Sequence, residues 1–405
     1  MLTRLLKTGT AAAAAALLAA GAAAYGATTG PAPPWVDAWA ASPQPPATNP
    51  GSFADQTLRL IVHLHAGGTS VRVRLSNTFG DRDVRFDHVT VGVRTTGAAV
   101  TAPRTARFGG LSGVNVAKGA EASSDPVPLT VAAGQDLAVS LYLPTPTGLA
   151  TYHRSALQTS YLSGAGDHTA EPGAASFTKT TGSWFFLDAV SVHGAAAPGT
   201  IVALGDSITD GSGSHGSANH RWPDRLSDRL SDRLRARPGA AAKSVVDEGI
   251  AGNQVLADSP LGGVSALHRL TRDVVVRRGL SDVILLEGVN DLRSANPPAT
   301  ADAIIAGYRQ IVDRLHAHHV RVVGATLTPV EGSARYTPAM EQARQQLNAW
   351  IRAPGHFDGF VDFAKATADP ADPLRYLPAF DSGDHLHPDD AGYQAMADAI
   401  DLTMF

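Results

Sequence analysis

Near residue 200 the periodicity of this sequence changes, and the change restricts the chain to two architectures in series. Before it, apolar residues recur at every second position. Leu58, Leu60, Val62 and Leu64 alternate with Arg59, Ile61, His63 and His65; after Gly67-Gly68, Val71, Val73 and Leu75 alternate with Arg72 and Arg74. A period of two marks a half-buried strand. Two such runs across a Gly-rich turn predict a hairpin with one buried face. Phe86–Val93, Pro126–Val131, Asp136–Leu143 and Trp184–Val192 read as further strands, punctuated by Pro, Gly and Thr with nothing helical between them. Residues 35–193 are therefore expected to form an all-β sandwich or jelly-roll domain.

The Ala/Pro/Gly stretch at 194–199 reads as a linker, and from residue 200 to 405 the pattern is different. Short apolar runs at Ile201–Leu204, Val245–Val246, Val283–Leu286, Arg321–Thr326 and Phe360–Phe363 alternate with helical segments. These helices are predicted over Trp222–Ala236, Val264–Arg278, Ala299–His318, Thr337–Ala353 and Pro388–Leu402. Alternation of this kind predicts an α/β domain, a parallel sheet with helices on both faces. Within the first long helix the unit Asp-Arg-Leu-Ser repeats every four residues, so Leu226, Leu230 and Leu234 share one face.

The N-terminus reads as a targeting segment. Arg4 and Lys7 precede an Ala/Leu run from Ala11 to Ala24, and Ala22 and Ala24 supply a small-residue cleavage pattern. Residues 1–27 are expected to be a secretory signal peptide, since a bilayer span needs roughly 20 apolar residues. Thr28–Pro34 follows as a linker. This reading gives a secreted protein with no stable membrane insertion after cleavage. The chain has 405 residues, a net charge of -4 and no Cys. The small charge argues against nucleic acid as a partner. Without Cys there can be no disulfide, so stability has to come from core packing.

Chemistry concentrates where strands end. Ile201–Leu204 runs into Gly205-Asp-Ser-Ile-Thr-Asp-Gly211, which places Ser207 at the carboxyl edge of a parallel strand, where open α/β sheets bind ligands. A Ser hydroxyl needs a base to take its proton. Asp381-Ser-Gly-Asp-His-Leu-His-Pro388 offers one: Asp384 and His387 lie three residues apart, a spacing that lets a carboxylate orient one ring nitrogen and leaves the other for the Ser. His385 competes, but position 382, at the same offset from it, is Ser. The alternative for Asp384, His385 and His387 is a zinc site, and no further motif supplies a usual zinc spacing. Donors for a developing oxyanion are offered by the backbone of Gly252 in Ala251-Gly-Asn253 and by the amide of Asn290 in Gly288-Val-Asn-Asp291. Each follows an apolar run.

In order, Gly-Asp-Ser-Ile-Thr-Asp-Gly, Gly-Ile-Ala-Gly-Asn, Glu-Gly-Val-Asn-Asp and Asp-His-Leu-His-Pro resemble blocks I, II, III and V of the SGNH (GDSL) hydrolase superfamily. The resemblance spans about Thr200–Phe405. It implies a flavodoxin-like α/β domain with strand order 2-1-3-4-5. It assigns Ser207, Asp384 and His387 to a catalytic triad, and Ser207, Gly252 and Asn290 to the oxyanion hole, with no metal or organic cofactor. No Gly-x-Ser-x-Gly elbow of the α/β-hydrolase type occurs. Trp35-Val-Asp-Ala-Trp-Ala-Ala-Ser-Pro43 and Val71-Arg-Val-Arg-Leu-Ser-Asn-Thr-Phe79 are similar to the β-rich region that precedes the hydrolase domain in actinobacterial secreted GDSL esterases.

The expected activity is hydrolysis of carboxylic esters through an acyl-enzyme. Candidate substrates are small aryl or short-chain esters, lipids, and acetyl or feruloyl esters on polysaccharide. The competing reading from another class is a non-enzymatic protein whose β domain holds a glycan. The segment Thr151-Tyr-His-Arg-Ser-Ala-Leu-Gln-Thr-Ser-Tyr161 breaks the strand alternation and is rich in polar and aromatic groups, so it is expected to line a cleft between the two regions. The oligomeric state is not legible in the sequence.

Overall fold

The computed structural model describes residues 35–46, 51–194, 197–236, 242–294 and 298–405. The expected signal peptide (1–27), the linker 28–34 and Ala195-Ala196 of the second linker lie outside them. The described residues from Trp35 onward belong to one compact unit, within which two apolar cores can be told apart.

The first core lies between two antiparallel sheets. One contains β1 (Val36–Ala40), β3 (Gly68–Ser76) and β7 (Leu187–His193), ordered β1-β7-β3, with the short strands Glu121–Ser123 and Val127–Val131 along the free side of β3. The other contains β2 (Gln56–His63), β4 (His88–Val93), β5 (Asp136–Leu143) and β6 (Ser160–Ala165), ordered β6-β2-β5-β4 and extended by short strands at each edge. Leu58, Leu60 and Val62 of β2 meet Val71, Val73 and Leu75 of β3 in this core.

Those two strands are not the expected hairpin. β2 and β3 belong to opposite sheets. The connection between them spends its backbone donors on neighbours: Leu64 N–H on the Gln135 carbonyl (3.0 Å) and His65 N–H on the Ala38 carbonyl (2.8 Å). Two alternating runs that face one core from opposite sides carry the same sequence pattern as a hairpin. The outer face of β2 is buried as well. Arg59 lies there fully buried, donating to the carbonyls of Ala98 (2.8 Å) and Glu171 (2.7 Å), so a loop covers the face that the alternation assigned to solvent.

The second core surrounds a five-stranded parallel sheet: β8 (Thr200–Gly205), β9 (Ser244–Gly249), β10 (Leu280–Leu286), β11 (Arg321–Ala325) and β12 (Gly359–Val361). Its order, β9-β8-β10-β11-β12, is the expected 2-1-3-4-5. The helices are α1 (Ser207–Asp210), α2 (Trp222–Ala236), α3 (Ala266–Leu270), α4 (Val289–Ser294), α5 (Ala301–His316), α6 (Pro338–Arg352), α7 (Phe363–Thr367) and α8 (Asp390–Asp398). Thr300 and Thr337 cap α5 and α6, their hydroxyls accepting from Ala303 and Met340 N–H, which satisfies donors left free in a first turn. The repeat in α2 buries Leu226 and Leu230 against the sheet. The helix expected over Val264–Arg278 is shorter; after α3 the chain widens into a π-helical turn, Thr271–Val275. No described helix is long and apolar enough to cross a membrane.

Between the cores runs a polar seam. Arg277 donates to both oxygens of Asp188 (2.9 and 3.1 Å), and all these groups are buried. His65 bridges the Val245 carbonyl (2.7 Å) and Asp224 (3.1 Å). Ser42 Oγ donates to Glu248 (2.6 Å).

Candidate active site

β8, β9 and β10 are neighbours, so the loops after them converge at one end of the sheet. Ser207 opens α1 directly after β8. Asp206 caps that helix, its carboxylate accepting the Ile208 N–H at 2.9 Å, and Gly211 ends it with φ 97°. The turn requires Gly at 205: a Cβ there would meet the Leu286 carbonyl oxygen at 2.5 Å. The position of Ser207 is thus fixed by a cap on one side and a close backbone approach on the other.

Asp384, His387 and Ser207 form one line. Ser207 Oγ–H donates to His387 Nε2 at 2.8 Å, and His387 Nδ1–H donates to Asp384 Oδ2 at 2.6 Å. The other oxygen of Asp384 accepts the N–H groups of Leu386 (3.0 Å) and His387 (2.9 Å). Partial burial works to raise the Asp384 carboxyl, but these N–H groups and the His387 ring hold it below its ordinary value, keeping it ionised to orient the imidazole. The loop is braced by Ser382 N–H on the His387 carbonyl (3.1 Å) and by the Tyr376 hydroxyl on the Leu386 carbonyl (3.1 Å).

His385 has a carboxylate after all. Its Nδ1 meets Asp381, four residues upstream, and its ring is 51% exposed. The offset argument from Ser382 was therefore incomplete. The two histidines differ in direction: His387 is turned to Ser207 and His385 to Asp381. Among the described residues no group of three or more His, Cys, Asp or Glu is placed to hold a metal ion.

Gly252 and Asn290 follow β9 and β10, the two strands that flank β8. Gly252 has φ +85° in the turn after β9, a backbone conformation that favours Gly. Asn290 lies in α4 and donates one amide hydrogen to the Asn253 carbonyl at 3.0 Å. That bond fixes the amide and leaves its second hydrogen for a ligand. Asn253, buried, holds the same turn from inside: its amide donates to the carbonyls of Gly262 (2.6 Å) and Val264 (2.8 Å), and its oxygen accepts from Arg269 Nε (2.9 Å). Asp291 accepts Val255 and Leu256 N–H at 2.8 and 3.0 Å. Burial pushes Asp291 up to about 6, and burial with Asp291 nearby pushes Asp206 up to about 7. Of the five positions singled out from the sequence, the structure joins Ser207, His387 and Asp384 by hydrogen bonds and places Gly252 and Asn290 after the strands on either side of β8.

Several residues at this site were not singled out. Asp210, the second Asp of the first motif, accepts the Ala251 N–H at 2.9 Å. His153, from the β region, reaches the other oxygen of Asp210 at 3.0 Å. Arg154 N–H donates to Gln44 Oε1 at 3.0 Å, and Gln44 in turn donates to the Leu261 carbonyl at 3.2 Å. The polar segment 151–161 was the available signal; through His153 it too reaches across the seam.

A Ser hydroxyl, a His ring and a carboxylate in one hydrogen-bonded line, at the carboxyl ends of parallel strands, are groups that can carry out acyl transfer to Ser. The model of the GDSL-like Lipase/Acylhydrolase family matches residues 203–395. Residues 203–395 are thus a GDSL-like lipase/acylhydrolase domain of the SGNH/GDSL hydrolase superfamily, the domain of a carboxylic ester hydrolase. No curated protein matches the chain. Solved structures similar to it include an aryl esterase from M. smegmatis (18% identity, covering 50% of this chain and 95% of that one, TM-score 0.40). Others are a carbohydrate acetylesterase from Sinorhizobium meliloti (16%, 50% and 95%, TM-score 0.38) and the lipase/acylhydrolase from Enterococcus faecalis (18%, 50% and 92%, TM-score 0.38).

Proposed function

We propose that this protein is a secreted serine esterase that works through an acyl-enzyme on Ser207. The observation that carries the reading is the unbroken line from Asp384 through His387 to Ser207, at 2.6 and 2.8 Å. His387 Nε2 takes the Ser207 proton as Oγ attacks the ester carbonyl carbon. The carbonyl oxygen becomes an oxyanion, held by the N–H groups of Ser207 and Gly252 and by the Asn290 amide. The C–O bond to the alcohol breaks, and the alcohol leaves with the proton from His387. Water then repeats the sequence on the acyl-enzyme, returning the acid and free Ser207. None of these steps calls on a metal or an organic cofactor.

Export is proposed from the basic start and the Ala/Leu run at residues 1–27. The substrate is proposed to be a small or polysaccharide-linked ester. Turnover of a chromogenic aryl ester by the native protein, set against Ser207→Ala, tests the reading. It fails if the variant, freed of contaminating esterase, keeps near-native turnover. A panel of esters graded by acyl length, with sugar acetates and feruloyl esters beside them, then separates aryl, lipid and carbohydrate substrates.

A further inference from the structure

The groups assigned to the reaction all lie beyond residue 200, yet the turn that carries Gly252 is pinned from the other region of the molecule. We infer that His153, on the short strand Tyr152–His153 of the β region, is a positioning residue for the oxyanion hole, acting through Asp210 on the Ala251–Gly252 turn. The inference rests on the acyl-transfer reading above.

The contacts form a single line. Ser42, just past β1, offers its carbonyl to His153 Nδ1 at 3.0 Å. His153 Nε2 meets Asp210 Oδ1 at 3.0 Å, and Asp210 Oδ2 accepts the Ala251 N–H at 2.9 Å. The Ala251 N–H lies in the Ile250–Ala251 peptide, so the bond to Asp210 fixes the plane immediately before the peptide that carries the Gly252 N–H. His153 and Asp210 are buried to 3% and 2% side-chain exposure, and Ser42 is wholly buried.

The chemistry of the line is specific. A carbonyl and a carboxylate are both acceptors, so a ring held between them donates from both nitrogens and carries both protons. Burial alone would strip one, but the Asp210 carboxylate and the Ser42 carbonyl outweigh it and raise the ring above its ordinary value. The result is a buried charge-assisted pair, stronger than a neutral hydrogen bond.

The same Ser42 braces the other side of the turn. Arg269 donates to Ser42 Oγ at 2.7 Å and, through Nε, to the Asn253 side chain at 2.9 Å; it also reaches the Gly205 carbonyl at 3.0 Å. Asn253 is the residue whose carbonyl holds Asn290. One residue of the β region thus connects to both arms of the oxyanion loop.

The role is separable from a merely structural one, because an oxyanion donor acts mainly in the transition state. In the full-length chain, His153→Ala should lower kcat on the order of 10- to 100-fold, with KM within about twofold. Affinity for a trifluoromethyl ketone, whose carbonyl oxygen becomes an oxyanion when Ser207 adds to it, should fall by a similar factor. Asp210→Ala should do the same. The double variant should be no worse than Asp210→Ala within about threefold, since both act through one link. Asp210→Asn should keep most of the activity: its oxygen still accepts from Ala251, and its NH2 donates to a neutral His153. Folding is followed by circular dichroism, and if His153→Ala does not fold, the Asp210→Asn and Asp210→Ala pair decides. A folded His153→Ala with native kcat and native ketone affinity overturns the inference. So does a loss of kcat without loss of ketone affinity, or an Asp210→Asn as damaged as Asp210→Ala. An active Ser207→Ala would instead overturn the acyl-enzyme reading itself.

Discussion

The sandwich and the α/β region each close around an apolar core, Leu58, Leu60, Val71 and Val73 in one and Ile201, Val202, Val245 and Val283 in the other. Where they meet, the buried groups are of another kind: Arg277 with Asp188, His65 with Asp224, His153 with Asp210. Apolar contact is non-directional and holds each region together by area removed from water. Buried ion pairs add little net stability over an apolar replacement, but their directional bonds specify a geometry. In the proposed mechanism the region beyond residue 200 carries the reacting groups, and the sandwich carries partners that aim them. The contrast predicts that substitutions in the two places will differ in what they damage.

The largest expected effect is on the reacting side. His387→Ala should cost on the order of a millionfold in kcat, as in triads that act as a unit, while His385→Ala should be mild because its ring faces Asp381. Steady-state kinetics on one aryl ester checks both, and a larger loss from His385→Ala would reverse the assignment. Next, Asn290→Ala should lower kcat by roughly 10²–10³ with little change in KM; a change confined to KM would make Asn290 a substrate-binding residue instead.

At the Asp188–Arg277 pair of the seam the damage should be to stability. Asp188→Ala takes one carboxylate from the buried Arg277, which keeps Glu248 at 2.6 Å, and one from Arg74 at 3.2 Å, at a cost of up to about 3 kcal/mol. Denaturant melts should register this loss while the folded fraction keeps its kcat. If stability is unchanged, the seam does not hold the regions together, and the sandwich is a separable appendage.

The smallest effect is one of pH. Burial, opposed by Arg221 at 3.1 Å and reinforced by Asp210, pushes the Asp247 carboxyl up to about 7. Between the ordinary carboxylate range and about 7, the folded state binds this proton more tightly than the unfolded state does. The group's contribution to stability therefore falls as pH rises through that window. Asp247→Asn does not titrate, so its Tm relative to the native protein should climb from about pH 4 to about pH 7. A difference independent of pH would mean that Asp247 is ionised throughout.

Much of this was legible in the sequence, and unevenly. In the α/β region the elements could be read from their alternation, because each parallel crossover needs a helix, while their order followed only from the resemblance of the strand-end motifs to the SGNH hydrolases. Trp222–Ala236 was delimited from periodicity alone and is the observed α2. In the sandwich the strands could be read but not their partners. β2 and β3 alternate as a hairpin would, and only long-range bonds such as Leu64 to Gln135 separate them into two sheets. At the site, the strand-end motifs led to Ser207, Gly252, Asn290, Asp384 and His387. They could not lead to His153, whose partner lies 57 positions away, nor to the Asp381 that occupies His385, at an offset of four where the reading looked for three.

The central claim, that Ser207 is the group acylated, is tested most directly by covalent labelling. The full-length protein is treated with a fluorophosphonate, and its peptides are read by mass spectrometry. The account predicts one adduct, on the peptide at Ser207, formed in step with loss of esterase activity and greatly slowed in His387→Ala. Complete inactivation with the adduct on another residue, or with Ser207 unmodified, would contradict it.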